Sequence, residues 1–508
     1  MTFDTRLFIL SLLTAQAFAM VEHPARMTCD MVTRASSDTL FNVAMDFDAA
    51  TAGDTVSAIF IPQNLNGWVG PEQYILMSYG AVRSFNKVTG LRDNILNIDA
   101  SAFFNDGAVD VRIAYDRFAQ RWITSCEAID VDGNVTDVVI CISADAVITP
   151  YTRWYKYSIP VSVVNPGNPT GTIDYGQLAV DQNAIYFVCN AFSDPDGLVY
   201  VGSSAIVIQK SSVINGGTPV FTVFPGLLGS INSQYIPPAD NFTPNPTYGY
   251  LINAVVNYNN NPPTGSNQLA LYRISNPGSA TPSITGPIFI TVPSFGYADI
   301  APHLGNIYGV DGYLQSGNAL MWAPHVRGNY LFCAHDIQVN QAGVGMDIGS
   351  GGDRIAVRWY QFDLTAGGVE APNTVPTLVQ SGTLFDNAAS DPKYYFNASI
   401  MTNKNLDLVI SSTVSGNLDY TNVIYAARKA TDPLGTLRDP VYITQAANSY
   451  NHGPLAEINV GALLGQRWGD ASSLAPDPLN DLDLWNTQEY AATNNTWAIN
   501  VSKLVPVS

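Results

Sequence analysis

The sequence has little charge, and most of that charge is negative. Only 13% of the 508 residues are charged, and 42 Asp and Glu residues outnumber 23 Lys and Arg residues, for a net charge of −19. A chain with this balance repels phosphate backbones and anionic lipid surfaces, which argues against nucleic-acid binding. Asn, Thr, Ser, Gly and Tyr provide much of the polarity instead, as expected of an extracellular β protein.

Long apolar runs are also missing. One short run, Leu7 to Leu13, follows Arg6 and precedes the small-residue pattern Ala17-Phe18-Ala19. This arrangement predicts a cleaved signal peptide over residues 1–19, and the run is too short to span a bilayer comfortably. No later segment approaches eighteen apolar residues. We therefore expect a secreted, extracellular protein with no membrane insertion.

Cysteine is scarce, with five residues in the chain. They form no CxxC pair and have no histidines at zinc spacing, so we expect no cysteine-based metal site. Cys126 and Cys141 flank the turn-like "DVDGN" and are expected on adjacent strands of one hairpin. One or two disulfides and buried free thiols are both compatible with this pattern. The full set is Cys29, Cys126, Cys141, Cys189 and Cys333.

Convincing amphipathic helices are nearly absent, whereas strand patterns recur throughout. At least fifteen short runs rich in Val, Ile, Tyr, Phe and Trp are separated by Gly, Pro, Asn and Asp, which favour turns. Examples are "DVVICIS", "AIYFVCNAF", "YLINAVVNY" and "LDLVISSTV". The pattern predicts an all-β chain with enough apolar residues, 46%, to build a large core.

Three architectures suit so many short strands: tandem sandwiches, a parallel β-solenoid and a propeller. No repeat of about twenty residues supports a solenoid, and no linker supports separate sandwiches. A looser unit does recur, in which an apolar strand pair is followed by a short Ser, Ala, Asn, Asp or Pro loop. This recurrence favours a β-propeller.

Several stretches also resemble known propeller sequences. These are "NLNGWVGPEQYILMSYGAVRSFNKVTG" at 64–90, "DVRIAYDRFAQRWI" at 110–123 and "IDYGQLAVDQNAIYFVCNAF" at 173–192, with "VRWYQFDL", "ARKATDPLGTL" and "RWGD…LWNTQEY" following in order. They resemble a secreted, mostly uncharacterised bacterial family of seven-bladed propellers with sialidase-like architecture. The resemblance implies a single propeller of about seven four-stranded blades over residues 55–508, preceded by an N-terminal segment, 20–54.

The segment 466–491, "QRWGDASSLAPDPLNDLDLWNTQEYA", concentrates chemically useful residues. As a site, it offers Asp470, Glu489 and Tyr490 for acid, base or nucleophile roles. Arg467 would then bind a substrate carboxylate, while Trp468 or Trp485 would stack on a sugar ring. As packing, the same residues join neighbouring blades. Arg-Trp pairs recur at 121–122, 153–154 and 358–359, which favours packing because a single active site does not repeat.

Three aspartates, Asp116, Asp174 and Asp470, adjoin aromatic strands. At a channel mouth they would bind a cation or, together with Glu489, form a set of candidate catalytic carboxylates. Alternatively, each caps a turn through its own backbone. The turns at 130–134 and 193–197 lack full calcium-loop spacing. We therefore expect no cofactor, with a structural calcium ion as the only exception left open.

Motifs for nucleophilic catalysis are missing: there is no G-x-S-x-G, and the five histidines have no triad spacing. His303, His325 and His335 lie in one segment and allow a three-histidine metal site, but independent histidines are the favoured interpretation. The sequence thus predicts a non-catalytic protein that recognises a glycan or an extracellular protein. The alternative is a carbohydrate-active hydrolase or lyase that uses carboxylates at the channel mouth.

Overall fold

The computed structural model describes residues 39–52, 64–78, 80–197, 199–231, 233–260, 262–317, 321–347, 349–365, 367–453 and 465–507. The signal peptide predicted at 1–19 and Cys29 lie outside these residues. The described chain forms thirty strands and three short helices, so the predicted all-β class is confirmed. No helix in these ranges has the length and apolar character needed to cross a membrane. The helices are α1 (Ala100–Phe104), α2 (Val161–Val164) and α3 (Lys210–Val213), with 3-10 turns at Gly229–Ile231 and Gly309–Gly312.

Seven blades are arranged as a propeller, in which each blade is a sheet whose first strand is innermost. Blade 1 contains β2 (Asn66–Val69), β3 (Gln73–Ser78), β4 (Ala81–Asn86) and β5 (Arg92–Ile98). Blade 2 contains β6 (Gly107–Asp116), β7 (Arg121–Ile129), β8 (Val135–Ser143) and β9 (Trp154–Pro160). Blade 3 contains β10 (Ile173–Val180), β11 (Ala184–Phe192), β12 (Tyr200–Gln209) and β13 (Phe221–Leu227).

The remaining blades follow in chain order. Blade 4 contains β15 (Tyr248–Ala254), β16 (Gln268–Ser275) and β17 (Ser283–Thr291). Blade 5 contains β20 (His325–Arg327), β21 (Tyr330–Val339), β22 (Arg354–Asp363) and β23 (Thr377–Leu384). Blade 6 contains β24 (Tyr394–Thr402), β25 (Leu408–Gly416), β26 (Asp419–Arg428) and β27 (Val441–Tyr442). Blade 7 contains β28 (Ser473–Pro476), β29 (Leu484–Thr493), β30 (Thr496–Pro506) and β1 (Phe41–Thr51).

Blade 4 has an irregular inner strand because of two prolines. Pro237 and Pro238 have no N–H to donate to a ladder, yet the segment still pairs with β15: Ala239 N donates to Tyr250 O at 2.9 Å, and Ile252 N donates to Pro237 O at 3.1 Å. The segment ends in β14 (Asp240–Asn241), which runs parallel to β20. A separate small ladder joins β18 (Ile300–Ala301) to β19 (Leu314–Gln315).

The ring closes by pairing the two ends of the described chain. Strand β1 pairs antiparallel with β30 along its whole length, from Phe41 opposite Pro506 to Thr51 opposite Ala498. Strand β1 lies within the segment 20–54 that was predicted to lead into the first blade, and it forms the outer strand of blade 7. Closure of this kind leaves blade 7 without a gap in its ladder and ties residues distant in sequence together.

Burial decreases from the inner half of each blade towards its outer edge. The second strands β3 and β11 are buried at every position, whereas the outer strands β5, β9 and β17 alternate with exposed residues. Inner strands are buried on both faces because each sheet packs between two neighbours, so they are continuously apolar rather than alternating. The same packing buries the free thiols of Cys126 and Cys141, which lie on the adjacent strands β7 and β8.

Each blade has one residue with a left-handed backbone in or just before its inner strand. In β6, β10 and β24 this residue sits in a β-bulge, which redirects the side chains beside it. The seven residues are Asn64, Asp110, Tyr175, Tyr235, Ala323, Asn397 and Gly469. Such a ring of kinks accounts for the polar side chains gathered at one end of the propeller axis, where the inner strands begin.

Lysines link neighbouring blades at the other end of two inner strands. Lys210, just after β12 in blade 3, forms a 2.5 Å ion pair with Asp116 of blade 2 and donates to Asp181 O. Lys87, just after β4 in blade 1, forms a 2.6 Å ion pair with Asp477 of blade 7. It also donates to Gly70 O at 3.0 Å. We call these two contacts the lysine clamps.

Candidate functional site

Three carboxylates meet where the inner strands of blades 2 and 3 begin. Asp110 lies in the bulge of β6, Glu127 near the end of β7 and Asp174 beside the bulge of β10. One oxygen of each lies within 4.8 Å of the others, and the side chains are only 4%, 0% and 8% exposed. We call these three residues the acid cluster. It is the one group of three potential metal ligands found within the described ranges.

The local backbone explains why the three carboxylates approach so closely. Gly176 follows the left-handed Tyr175, and a Cβ at Gly176 would lie 2.6 Å from the Phe187 ring and 3.0 Å from Glu127 Oε1. A side chain at 176 would therefore push blades 2 and 3 apart. The Gly176 amide also donates to Asp110 Oδ2 at 3.2 Å, so the glycine supplies both space and a hydrogen bond.

Some carboxylate oxygens of the acid cluster accept hydrogen bonds, and others have no partner within the described ranges. Asp110 accepts from the Asn64 amide as well as from Gly176, and Asp174 Oδ1 accepts from Tyr175 N at 2.9 Å. In contrast, Asp174 Oδ2 and both oxygens of Glu127 have no partner of ordinary hydrogen-bond geometry in the described structure. Glu127 is therefore a buried carboxylate that lacks the contacts that normally accompany a buried charge.

The electrostatics of the acid cluster favour neutral or shared charge. Burial raises the pKa of Glu127 well above its usual range, and Asp110 and Asp174 raise it further. Burial, followed by the charge of Asp110, likewise raises the pKa of Asp174. Arg112 opposes the shift of Glu127 only through space, because its Nη1 donates instead to Asn64 Oδ1 at 2.5 Å and to Val111 O at 3.1 Å.

A second carboxylate group from blade 7 adjoins the acid cluster. Arg467 forms an ion pair with Asp470, and its other terminal nitrogen donates to Gln315 Oε1 at 3.1 Å. Glu489 lies beside Asp470, and burial followed by the Asp470 charge raises the pKa of Glu489 to about 8. The Asp470 charge also raises the pKa of Asp174. Blade 7 is not next to blades 2 and 3 in the ring, so these groups meet across the axis.

The two glutamates occupy equivalent places in their blades. Asp116 opposes Arg121 in blade 2, and Glu127 is six residues further along β7. In blade 7, Asp477 pairs with Asp483, and Glu489 is six residues further along. Both glutamates are buried, and their oxygens have no hydrogen-bond partner of ordinary geometry in the described structure, although a backbone amide, Gly176 N or Gly469 N, acts to lower the pKa of each. The blade repeat therefore places two unpaired glutamates at the same level of the axis.

Asp116 does not join the other sequence-predicted carboxylates. It lies at the far end of β6, where Oδ1 accepts from Phe118 N at 2.9 Å and Ala119 N at 3.2 Å. Its other oxygen pairs with Lys210 in a lysine clamp. This arrangement is the turn-capping alternative considered for Asp116. Asp174, Asp470 and Glu489, by contrast, are brought together, although none of them lies in a wide cleft.

The aromatic residues predicted for binding are used in packing. Trp468 is 1% exposed and packs edge to face on Tyr450 with the ring centroids 4.8 Å apart. Trp485 is also buried and stacks on Tyr74 of blade 1 at 5.5 Å. Tyr490 donates to the Asp48 carboxylate at 3.1 Å on the outer part of blade 7. None of these three side chains is placed to stack on a sugar.

Four other tyrosines, which the sequence analysis did not select, line the axis beside the acid cluster. Their rings are partly exposed and meet edge to face in series, with centroid separations of 4.7, 6.4 and 6.1 Å. Burial raises the pKa of each hydroxyl, which keeps them neutral hydrogen-bonding groups. We call this row the tyrosine arc: Tyr175, Tyr235, Tyr258 and Tyr297.

The cavity behind the tyrosine arc is small. It has a volume of about 10 Å³, room for about one water molecule, and is lined by Tyr175, Tyr235, Asn190 and Trp322 among others. Near the arc, burial raises the pKa of Asp299 to about 6. A ligand of the size of a sugar would therefore lie on the arc rather than inside the propeller.

The histidines and the calcium-like turns are separate from this region. His303 contacts Leu304 O, Gly312 O and Gln466, whereas His325 contacts Thr402 and His335 contacts Tyr360. Each of the three histidines therefore has its own separate set of partners. In the 130–134 turn, Asp130 Oδ1 accepts from Asp132 N and Asn134 N, both at 2.9 Å, which is ordinary turn capping.

Comparisons with known proteins give only a distant likeness. No protein-family model matches the chain, and no curated protein matches its sequence. The chain is similar to the polysaccharide lyase Uly1 at 9% identity, with 94% of this chain and 100% of that chain covered and a TM-score of 0.42.

Two further solved structures show the same level of likeness. A protein of unknown function from Dyadobacter fermentans has 10% identity, coverage of 92% and 99%, and a TM-score of 0.38. A Trypanosoma rangeli sialidase has 9% identity, coverage of 87% and 58%, and a TM-score of 0.33. Likeness this low does not indicate an activity, so the function has to be argued from the residues of the chain itself.

Proposed function

We propose that this protein is an exported propeller that binds a glycan on the tyrosine arc without catalysing a reaction. The observation that carries the proposal is the arc itself, four partly exposed tyrosines held edge to face at the end of the axis where the inner strands begin. Tyrosine offers an apolar ring face together with a polar hydroxyl at little entropic cost, which suits recognition of sugar rings.

The surroundings of the arc support a ligand that is not strongly anionic. Asp174, Asp299 and Asp470 lie near it, and the chain carries a net charge of −19. Arg467 is the nearby cation, and it is already paired with Asp470. A neutral or amino-substituted glycan fits this field better than a polyanion. A protein partner is the other outcome that the experiments distinguish.

A glycan array probed with the secreted full chain tests the proposal, followed by calorimetric titration of the best neutral glycan. Tyr235→Ala and Tyr258→Ala should each weaken binding about tenfold, the equivalent of about 1.4 kcal/mol. Tyr151→Ala is the matched control, because Tyr151 is 94% exposed on a turn of blade 2. Absence of any glycan binding, or equal losses in all three variants, would contradict the proposal. N-terminal sequencing of secreted material tests export.

A catalytic alternative is favoured by one observation, the convergence of Asp174, Asp470 and Glu489 beside Arg467. Raised pKa values suit a general acid, and a paired carboxylate suits a base or stabilising charge. Incubation with polysaccharides separates the two functions: hydrolysis releases reducing ends, and a lyase forms an unsaturated product that absorbs ultraviolet light. Turnover that Glu489→Gln and Asp470→Asn both abolish would replace the binding function with this one.

A further inference from the structure

The acid cluster brings three carboxylates together with too few donors to balance them. Glu127 is completely buried and both of its oxygens lack a hydrogen-bond partner in the described structure, as does Asp174 Oδ2. An uncompensated buried carboxylate costs several kcal/mol, so a folded protein normally supplies a counter-charge, a proton or a bound cation. An oxygen of the unpaired Glu127 side chain lies within 4.8 Å of oxygens of both Asp110 and Asp174, and this is the observation that indicates a ligand site.

Arg112, whose charge acts on Glu127, does not fill this role. Its Nη1 donates to Asn64 and Val111, and its guanidinium lies over the Trp322 ring, 5.4 Å from the centroid. The remaining nitrogens, Nε and Nη2, have no hydrogen-bond partner in the described structure, so they do not reach the carboxylates. If all three carboxylates are ionised, the cluster therefore has an excess of negative charge even with Arg112 counted.

The donor atoms select among cations. The three ligand atoms lie within 4.8 Å of one another, so a single ion at calcium–oxygen distances of roughly 2.4 Å can contact all three. Mg²⁺ demands near-ideal octahedral geometry and usually keeps several waters, and Zn²⁺ most often takes nitrogen and sulfur donors. All three donors here are carboxylate oxygens, which are the ligands that Ca²⁺ prefers.

We propose that Asp110, Glu127 and Asp174 bind a Ca²⁺ ion that ties blade 2 to blade 3 at the axis. The ion neutralises the carboxylates and replaces the hydrogen bonds that Glu127 lacks. Water and backbone carbonyls complete its shell. The site is separate from the proposed glycan contacts and does not depend on them, although Asp174 precedes Tyr175 of the arc.

Blade 7 provides an internal comparison for this site. Glu489 occupies the position equivalent to Glu127 and is equally unpaired. Its acidic neighbour Asp470 is already paired with Arg467, and no group of three acids forms there within the described residues. The difference predicts one high-affinity ion per chain rather than two.

Calorimetric titration of Ca²⁺ into the chelator-treated full chain tests the site. We expect about one ion per chain, weaker binding of Mg²⁺, and a melting temperature several degrees higher at saturating Ca²⁺. Glu127→Gln should lower Ca²⁺ affinity about 100-fold or more. Asp130→Asn is the control, because Asp130 lies in the exposed calcium-like turn of blade 2 and should leave affinity unchanged.

The readouts remain interpretable if a variant folds poorly. Glu127→Gln removes an unpaired buried charge, so the chelated variant should melt no lower than chelated wild type, and Asp174→Asn serves as a second loss-of-ligand variant. In wild type alone, Tb³⁺ should give tyrosine-sensitised emission through Tyr175, and Ca²⁺ should displace it. No Ca²⁺ binding by wild type, equal affinity for Mg²⁺, or full affinity in Glu127→Gln would overturn the proposal.

Discussion

Strand β6 carries two buried aspartates, one near each end, and their surroundings are very different. Asp116 ends β6 and is paired with Lys210, while Asp110, six residues earlier on the same strand, lies in the acid cluster. Both side chains are almost fully buried, at 3% and 4% exposure. At the clamp the counter-charge comes from the neighbouring blade, whereas at the cluster the neighbouring blade adds another carboxylate.

The two aspartates illustrate the difference between a contact that stabilises the fold and a potential functional site. A buried ion pair with satisfied hydrogen bonds is part of the fold, and its loss is felt as instability. Carboxylates buried together without partners are held against their own repulsion by the rest of the fold, and such groups mark ligand or catalytic sites. The lysine clamps should therefore respond to mutation with the opposite sign from the acid cluster.

The largest expected effect comes from breaking a lysine clamp. Lys210→Met leaves Asp116 buried beside an apolar side chain, and it should lower the free energy of unfolding by about 3–5 kcal/mol in denaturant titrations. Lys156→Met is the control, since Lys156 and Asp106 are 3.7 Å apart and about 34% and 43% exposed. That change should cost about 1 kcal/mol or less.

A double variant tests whether the stability lost in Lys210→Met is due to the unpaired charge of Asp116. Asp116→Asn retains the oxygen that accepts from Phe118 N and Ala119 N, so the turn is preserved. Added to Lys210→Met, it should restore part of the lost stability because the unpaired charge is gone. If the double variant is as unstable as Lys210→Met, packing of the lysine stem rather than the ion pair accounts for the loss.

Neutralising the acid cluster should have the opposite effect. In chelated protein, Glu127→Gln should raise the free energy of unfolding by about 1–3 kcal/mol, because it replaces a buried carboxyl group, whose ionisation burial and the neighbouring aspartates oppose, with a group that cannot ionise. With Ca²⁺ present, the same variant should be less stable than wild type. The measurement is the difference in free energy of unfolding between Glu127→Gln and wild type, which should change sign between chelator and Ca²⁺. A variant that is less stable than wild type in both conditions would show that Glu127 is needed for packing.

Glu489 should make the free energy of unfolding depend on pH. Its pKa is raised to about 8, first by burial and then by Asp470, while the Gly469 amide opposes the shift and Arg467 is paired with Asp470. A carboxyl whose folded pKa is raised stabilises the protein below its unfolded pKa, about 4.3, and that contribution is lost as pH rises to about 8. Wild type should therefore lose stability over this range relative to Glu489→Gln.

Denaturant titrations at several pH values measure this difference directly. The gap between variant and wild type should widen from pH 4 to pH 8 and then level off, whatever constant cost the amide itself adds. A gap that stays flat would mean that Glu489 is ionised throughout and has a counter-charge that the structure does not show. A gap that narrows would contradict the sign of the shift.

The sequence reveals more of the fold than of the site, and the two aspartates of β6 show why. Strand runs and turn residues predict a propeller because each blade depends on local patterns that repeat, and the family resemblance implies about seven blades. In "DVRIAYD", Asp110 and Asp116 are both an aspartate at the end of an apolar run. The sequence analysis selected Asp116, because neither the left-handed bulge at Asp110 nor the lysine from blade 3 leaves a local signal.

The same reason explains the other residues that the sequence analysis missed. Glu127 lies inside strand β7 and becomes distinctive only when Asp174 approaches from the next blade. The tyrosine arc joins residues from separate turns and strands, so no spacing connects them. The segment 466–491 stood out because its residues are close in sequence, yet its tryptophans pack against neighbouring blades. Contacts across the axis depend on closure of the ring, which local patterns do not encode.

We expect the smallest effect on stability at Asp48, an exposed carboxylate that accepts a hydrogen bond from Tyr490. Tyr490 donates to Asp48, which is itself solvent-exposed on the outer part of blade 7. Tyr490→Phe should change the free energy of unfolding by about 0.5 kcal/mol or less, because water replaces the lost hydrogen bond. It should also leave glycan and Ca²⁺ affinity unchanged, which calorimetry checks. A loss of ligand binding in Tyr490→Phe would return the predicted site to the 466–491 segment and away from the axis.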